Sequence, residues 1–486
     1  MTDMDFYRLR DQPGLTPLSQ VEVDLTIRLA EAVRMAGGRA LVVGGYPRDL
    51  VIKAVSGKRV ESKDIDLEVY GLEADVLQDL ATTIHHVNAV GASFGVLKVG
   101  PLDVALPRRD SKDGSGHRGF VVEADPHMGH AEAARRRDFT INTLALDPLT
   151  GELLDEHGGV EDISRGLLRM VDPETFGDDA LRGLRAIQFA ARFGFAVEPQ
   201  TAEAVRQLEM HELSSERIGE EWHKLLTKSE KPGIGLELAL ELGIIHKLHP
   251  ELAALVDTPQ EPEWHPEGSV WNHTVLAVNV AAMIVRRERI VTEYGKDAAL
   301  TVMLGALCHD LGKPLTTALD PESGRIRSHE HAKVGVPLAR DFMRRLHVPA
   351  KIARKVERIV FDHMFLPEVR HAKDAAIRRL AKRLQPATVQ ELIWVTEADF
   401  CGRTLVAPDM SLVGLFKQRA EELAVAEAPM EPLVLGRDLL DLGVVPGRKM
   451  GDILKQLEAA QTNGMFDTRE GGIAYYREHI AKDANA

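Results

Sequence analysis

Apolar residues recur every three to four positions over Leu18–Ala36, which predicts an amphipathic helix. They give way to ALVVGG (40–45), an unbroken apolar run that predicts a buried strand ending on two glycines. DIDLEV (64–69) alternates acidic and apolar residues, the signature of a strand with one wet face. VLKVG (96–100), LDVAL (102–106) and GFVVEA (119–124) predict three more strands, with a helix over Glu73–Ile84 between them. Beyond residue 160 the strand signals fade and helical spacing takes over, as in DALRGLRAIQFAARFGF (179–195) and IGLELALELGII (234–245). The expected class is α+β: a small mixed sheet with helices on one face, followed by a predominantly helical body.

Length and punctuation divide that pattern. A chain of 486 residues predicts about three domains. DTPQEPEWHPEGS (257–269) and AEAPMEP (426–432) read as linkers. The expected divisions are 18–150, 151–256, 257–425 and 426–486. No run of about twenty apolar residues and no basic-then-apolar leader occurs, so neither a membrane span nor a signal peptide is expected. Two cysteines, Cys308 and Cys401, without C-x-x-C spacing predict a reducing, cytoplasmic setting. The net charge of −14 argues against a protein that coats nucleic acid through its whole surface. It leaves room for a local basic surface, because charges act over only about 8–10 Å. The clusters Arg135–Arg137, Arg286–Arg289 and Arg378–Arg383 read first as solvated helix faces.

Two carboxylates on one strand face repel unless a cation lies between them, so Asp64 and Asp66 are candidate Mg²⁺ ligands. Upstream, LVVGGYPRDLVI (41–52) places Gly44 and Gly45 between a strand and a helix, a bend whose N–H groups could cradle phosphate. Arg48 could join the same phosphates with Asp49 orienting it. Bend and carboxylates together supply both halves of a metal–triphosphate site, with Asp103 as a candidate third carboxylate. Arg137, Asp138, Thr140 and Asn142 are polar residues in an apolar run and must bond one another or a ligand. Asp179, Arg182 and Arg185, at i, i+3 and i+6, are expected on one helix face. A carboxylate and a guanidinium side by side suit the amine and ring nitrogen shared by cytosine and adenine. Uracil and guanine would leave buried groups unpaired, at about 1–3 kcal/mol each.

GGYPRD (44–49), DIDLEV (64–69), RRDFTINTLALD (136–147), DDALRGLRAIQFAARFGF (178–195) and ERIGEEWHKLL (216–226) resemble, in order, the motifs of bacterial tRNA nucleotidyltransferases. These are the CCA-adding enzymes of the polymerase-β-like class, which includes bacterial poly(A) polymerases. The resemblance implies a nucleotidyltransferase head with Mg²⁺ on Asp64 and Asp66. It also implies ribose and triphosphate contacts around Arg137 and Asp138, and Asp179 with Arg182 as the base template. The implied partners are tRNA, CTP and ATP; no membrane partner is expected, and the sequence specifies no oligomeric state. Pro47, Thr143, Asp178 and Ala180 depart from the usual motif residues.

A second constellation follows. His273, His309, Asp310 and Asp399 form an H…HD…D series in helical segments. Mixed imidazole and carboxylate donors suit Mn²⁺, Mg²⁺, Ni²⁺ or Fe²⁺ better than a closed zinc site. The series resembles the HD phosphohydrolases, which implies metal-dependent hydrolysis of phosphate esters, with His329 and His363 near the metals. The leading expectation is template-independent addition of C and A to tRNA 3′ ends, with a further HD activity on RNA ends. The alternatives are a poly(A) polymerase, or an HD phosphohydrolase whose head only binds RNA.

Overall fold

The computed structural model describes residues 20–57, 65–88, 96–112, 120–403 and 410–481. The chain forms two compact units. The first runs to Glu221 and takes in Leu238–Leu248; the second comprises Trp222–Glu237 and the chain from His249 onward.

The first unit is built on a seven-stranded sheet. In chain order its strands are β1 (Arg39–Val43), β2 (Asp66–Tyr70), β3 (Val87–Asn88), β4 (Val96–Val99) and β5 (Leu102–Ala105), then β8 (Ala145–Leu146) and β9 (Leu153–Leu154). Their order across the sheet is β3-β4-β5-β2-β1-β8-β9, with β2 and β5 parallel and the other pairs antiparallel. The helices Gln20–Met35 and Ala74–Ile84 contribute Leu25, Leu29, Val33, Leu77 and Ala81 to the core that the sheet's Val42, Leu67, Val69 and Val104 complete. Tyr46 and Leu50 of the helix Gly45–Ser56 join the same core, which docks the bend that precedes them.

Two expectations change here. The strand expected at 119–124 is real, as β7 (Phe120–Ala124), but among the described residues it pairs only with β6 (Arg108–Lys112), in a separate ribbon. The helix expected from residue 179 begins at Leu181 and ends at Phe193, so Asp179 stands before its first turn.

The second unit is a helical bundle followed by a small helical cluster. Lys296–Cys308 is buried on every side from Ala298 onward, as a central helix must be. Around it pack Val270–Arg287, Ala350–Asp362 and Val389–Cys401, with His331–Arg345 against Ala350–Asp362. The helices from Gly436 to Tyr475 close over their own core of Val434, Leu439, Ile453, Leu457 and Phe466. The segment 257–269 is no free linker: Thr258, Gln260 and Glu267 are sheltered, and Gln260 and Glu267 bond Lys313 and His273 of the bundle. Among the described residues, no helix is long and apolar enough to cross a membrane.

Candidate active sites

In the first unit, sheet register brings the candidate groups together. Val43, the last residue of β1, pairs with Asp66, and Asp66 pairs with Asp103 in the parallel neighbour β5. Gly44 then turns the chain with φ 75°, which glycine adopts without strain. A Cβ at Gly44 would lie 3.7 Å from the Asp66 carboxylate and 3.3 Å from the Arg137 guanidinium. Bend, carboxylate and cation thus meet at one point. Asp66 is exposed, and Asp103 is half exposed and paired with Lys98 at 3.2 Å. Asp64, the other half of the pair read from the sequence, lies outside the described residues.

Behind this surface runs a buried polar chain. Arg48 donates to Asp49 (Nε–Oδ1 2.8 Å) and to Asn142 (Nη1–Oδ1 2.7 Å), and packs 4.8 Å from the Phe193 ring centroid. Asn142 donates to Asp138 (2.8 Å), whose other oxygen accepts from Arg185 at 2.5 Å. Burial by itself would raise the Asp138 carboxyl, but Arg185 and the Asn142 amide hold it below the usual carboxylate range. Arg185 is itself held above its ordinary value, burial notwithstanding, by Asp138 and then Glu221. Arg48, Asp49, Asn142, Asp138 and Arg185 therefore form one connected network.

Asp179 lies just ahead of the helix Leu181–Phe193. One of its oxygens accepts from the Leu181 N–H (3.1 Å) and the other pairs with Arg217 at 2.7 Å. Arg182 donates instead to the carbonyls of Thr175 (2.9 Å) and Arg136 (2.7 Å). The i, i+3, i+6 face is thus split, since Asp179 has left the helical register. Asp178, Asp179, Leu213 and Arg217 line a cavity of about 450 Å³.

Sequence reasoning missed Glu68, which shares a strand face with Asp66 and is buried. It takes Tyr70 Oη–H (2.7 Å) and Arg136 (3.0 Å), with Arg137 at 3.7 Å. Burial opposes its charge, yet Arg137 and Arg136 lower its pKa. Arg136 and Arg137 are accordingly not a solvated face; a third acidic residue in the D-x-D-x-E alternation was the available signal. Arg217 lay within the quoted ERIGEEWHKLL motif but was not singled out.

In the second unit, His273, His309 and Asp399 offer ligand atoms all within 4.8 Å of one another, and so do Asp310, His331 and His363. All six residues are at least four-fifths buried at the side chain. His331 takes the place expected of His329. The reason is packing: a Cβ on Gly312 would lie 2.0 Å from the His331 carbonyl and 2.7 Å from the Gly335 N. Only glycine after the His309–Asp310 pair lets this helix start approach so closely.

Ring orientation is specified by the other nitrogen. Nδ1 of His309, His331 and His363 lies 2.8, 2.8 and 2.7 Å from the carbonyls of Ala306, Ser328 and Val360. A carbonyl only accepts, so these Nδ1 atoms carry the protons and the Nε2 lone pairs face inward. His273 Nδ1 bonds Glu267 (2.9 Å), and His265 bonds the same carboxylate oxygen (2.8 Å). Facing Nε2 atoms lie 3.3 Å apart for His273 and His309, and 3.1 Å apart for His331 and His363. Lone pairs at that distance repel unless a cation or proton lies between them. Burial, then neighbouring His309 and His331, pushes His363 down to about 3. Burial also disfavours charge on His309, but Asp310 and then Asp399 raise it above its ordinary value. A divalent ion would satisfy the same electrostatic demand, and the donor set fits one.

A mixed sheet with a glycine bend beside register-paired aspartates, followed by a helical His/Asp bundle, defines a nucleotidyltransferase carrying an HD domain. Family comparison agrees segment by segment. Residues 40–169 match the poly A polymerase head domain, 194–255 the probable RNA and SrmB- binding site of polymerase A, and 270–399 the HD domain. The multifunctional CCA protein of Stenotrophomonas maltophilia (strain K279a) is 34% identical over 376 residues, 74% of this chain and 86% of the relative. That of Tolumonas auensis is 32% identical over 407 residues, 81% of this chain and 92% of the relative. The chain belongs to the family of CCA-adding tRNA nucleotidyltransferases. Solved CCA-adding enzymes share the fold at lower identity. The Thermotoga maritima enzyme complexed with tRNA has a TM-score of 0.58 at 18% identity, covering 94% of this chain and 96% of that one. The Bacillus stearothermophilus enzyme in complex with CTP has 0.57 at 20%, covering 96% and 100%.

Proposed function

We propose that the first unit transfers CMP and AMP from CTP and ATP to the 3′ end of tRNA in the cytoplasm, with pyrophosphate leaving. The observation that carries this is the register Val43–Asp66–Asp103, which sets a glycine bend against carboxylates at the distance of bonded strands. Asp66, with Asp64 two residues earlier in the sequence, would hold Mg²⁺, which when bound supplies charge neutralisation at the phosphates and a more acidic 3′-hydroxyl. The bend's N–H groups and the Arg137 guanidinium receive triphosphate oxygens. Asp103 adds negative charge where the attacking hydroxyl loses its proton. The buried Arg48–Asn142–Asp138–Arg185 network fixes the floor on which sugar and base rest. Asp179 and Arg217, with Arg182 behind them, present an acceptor and a donor complementary to the amine and ring nitrogen that cytosine and adenine share.

The second unit is read as a phosphohydrolase acting on phosphate esters at RNA ends. Four inward Nε2 atoms and two carboxylates support it. They would hold one or two divalent ions of the Mn²⁺, Ni²⁺, Fe²⁺ or Mg²⁺ type, which when bound acidify water for attack at phosphorus. Lys313, whose ammonium lies 2.7 Å from both Asp310 and Gln260, adds positive charge for a phosphate.

The test is nucleotide incorporation with Mg²⁺ on tRNA trimmed by zero to three terminal residues. Addition that stops at CCA and excludes UTP and GTP supports the reading. Long A tails on generic RNA with CTP ignored would make it a poly(A) polymerase instead.

A further inference from the structure

Of the four tryptophans, Trp222, Trp271 and Trp394 are 1–3% exposed, whereas Trp264 is 42% exposed. Its ring is not loose. The guanidinium of Arg325 lies 5.2 Å from its centroid and that of Arg327 lies 6.0 Å away. The two arginines flank Ile326 on a short hairpin, Thr317–Leu319 with Ile326–Ser328, which is pinned to the tryptophan segment by the Ile326 N–H bond to Glu261 (3.0 Å).

Both halves of this arrangement connect directly to the His/Asp cluster. Trp264 precedes His265, whose ring centroid lies 4.8 Å from that of His273 and whose Nδ1 shares the Glu267 carboxylate with it. Ser328, at the end of the hairpin, accepts from His331 Nδ1. Between hairpin and segment lies a cleft of about 350 Å³ lined by Thr258, Pro314, Thr317, Leu319 and Ile326. The Gln260 side chain, two residues beyond Thr258, meets Lys313 beside Asp310.

The charges at this ring can be exchanged. Arg325 pairs with Glu263 (2.7 Å) and Arg327 with Asp320 (3.1 Å), and both arginines are about two-fifths exposed. Such exposed pairs hold weakly, so a phosphate can displace the carboxylates. An exposed indole flanked by guanidinium groups has the composition of a single-strand nucleic-acid platform: bases stack on the ring, and the cations take the backbone.

We infer that Trp264, with Arg325 and Arg327, is the platform on which the terminal base of an RNA end stacks, so that its ribose phosphate enters the His/Asp cluster. Trp264 is a positioning residue, and the inference rests on the phosphohydrolase reading of that cluster. It makes hydrolysis depend on a base but not on which base, because every base offers a stacking face.

The test uses the full chain loaded with Mn²⁺ and compares adenosine 2′,3′-cyclic phosphate with glycerol 2-phosphate, which has no base. Trp264→Ala is expected to raise KM for the nucleotide about tenfold. kcat should stay within about twofold, glycerol phosphate turnover should be unchanged, and Trp264→Phe should restore most of the loss. An unchanged nucleotide KM in Trp264→Ala overturns the inference. A binding readout needs no turnover: adenosine 2′-monophosphate should quench tryptophan emission in the wild type and not in Trp264→Phe. Equal quenching in both also overturns the platform. If neither phosphate ester is hydrolysed by wild type while the Trp264-dependent quenching is present, the phosphohydrolase reading fails and the platform stands as a nucleotide site.

Discussion

The two sites of this chain hold carboxylates in opposite ways. Asp66 and Asp103 lie on neighbouring interior strands of a sheet, aligned by strand register, with Asp66 exposed and Asp103 half exposed beside Lys98. Asp310 and Asp399 lie inside a helical bundle, each against imidazoles, and both are held well below the usual carboxylate range. Burial opposes that charge, but His309 and Lys313 at Asp310, and His273 and His309 at Asp399, outweigh it. An open site costs the fold little and waits for a substrate that brings its own phosphates. A closed one is part of the core, so its chemistry and its stability cannot be separated.

Asp66→Ala should therefore give the largest functional effect with the least structural one. We expect a loss of about a thousandfold in nucleotide incorporation, with the thermal midpoint unmoved, as measured by incorporation assay and calorimetry on the same preparation. A midpoint that drops together with activity would contradict the open-site picture. Asp310→Ala should do the reverse. Removing one partner of a buried charged group costs about 3–5 kcal/mol, so denaturant unfolding of the second unit should shift strongly, while nucleotide incorporation by the first is retained.

The next effect concerns a histidine of the second unit outside the cluster. His249 is packed against Trp222 and Phe342, with ring centroids at 4.7 and 5.3 Å, and its pKa is pushed down to about 3 by burial and then by Arg345. Glu251 lies 3.9 Å away but is bonded to Arg345. A folded value below the unfolded value near 6.5 means that protons favour the unfolded chain. The stability is complete above about pH 6.5 and falls as pH drops toward 3, by about 1.4 kcal/mol per pH unit. Urea midpoints between pH 7 and 5 should show a slope that His249→Phe reduces. The smallest effect is expected at Arg217→Ala, which frees Asp179 from a part-exposed ion pair worth about 1 kcal/mol or less. It should blur discrimination between CTP and UTP by severalfold, read from kcat/KM ratios, without abolishing transfer.

How much of this was legible in the sequence depends on range. The glycine bend, the acidic strand and the helix Gln20–Met35 are local patterns, and periodicity revealed them. Asp179 was misplaced by two residues because the spacing of Asp179, Arg182 and Arg185 fits a helix whether or not the first of them belongs to it. His329 and His331 have the same neighbourhood in RSHEHAKVG, and only the close approach of Gly312 to the His331 backbone selects between them. The segment 257–269 has a linker's composition. Its role as ring-orienting support is visible only once Glu267 is seen between His265 and His273.

Residue types and their spacing by themselves determined which chemistry this chain can carry: paired carboxylates after a glycine bend in one half, imidazoles and aspartates in the other. Those are properties of short stretches, encoded in alternation and motif. Tertiary structure alone decided which of these side chains meet. Register placed Asp66 between Val43 and Asp103, and helix packing turned four imidazoles inward. The physical reason is that such contacts join residues tens to more than a hundred positions apart, where sequence spacing carries no distance and only a shared core can impose one.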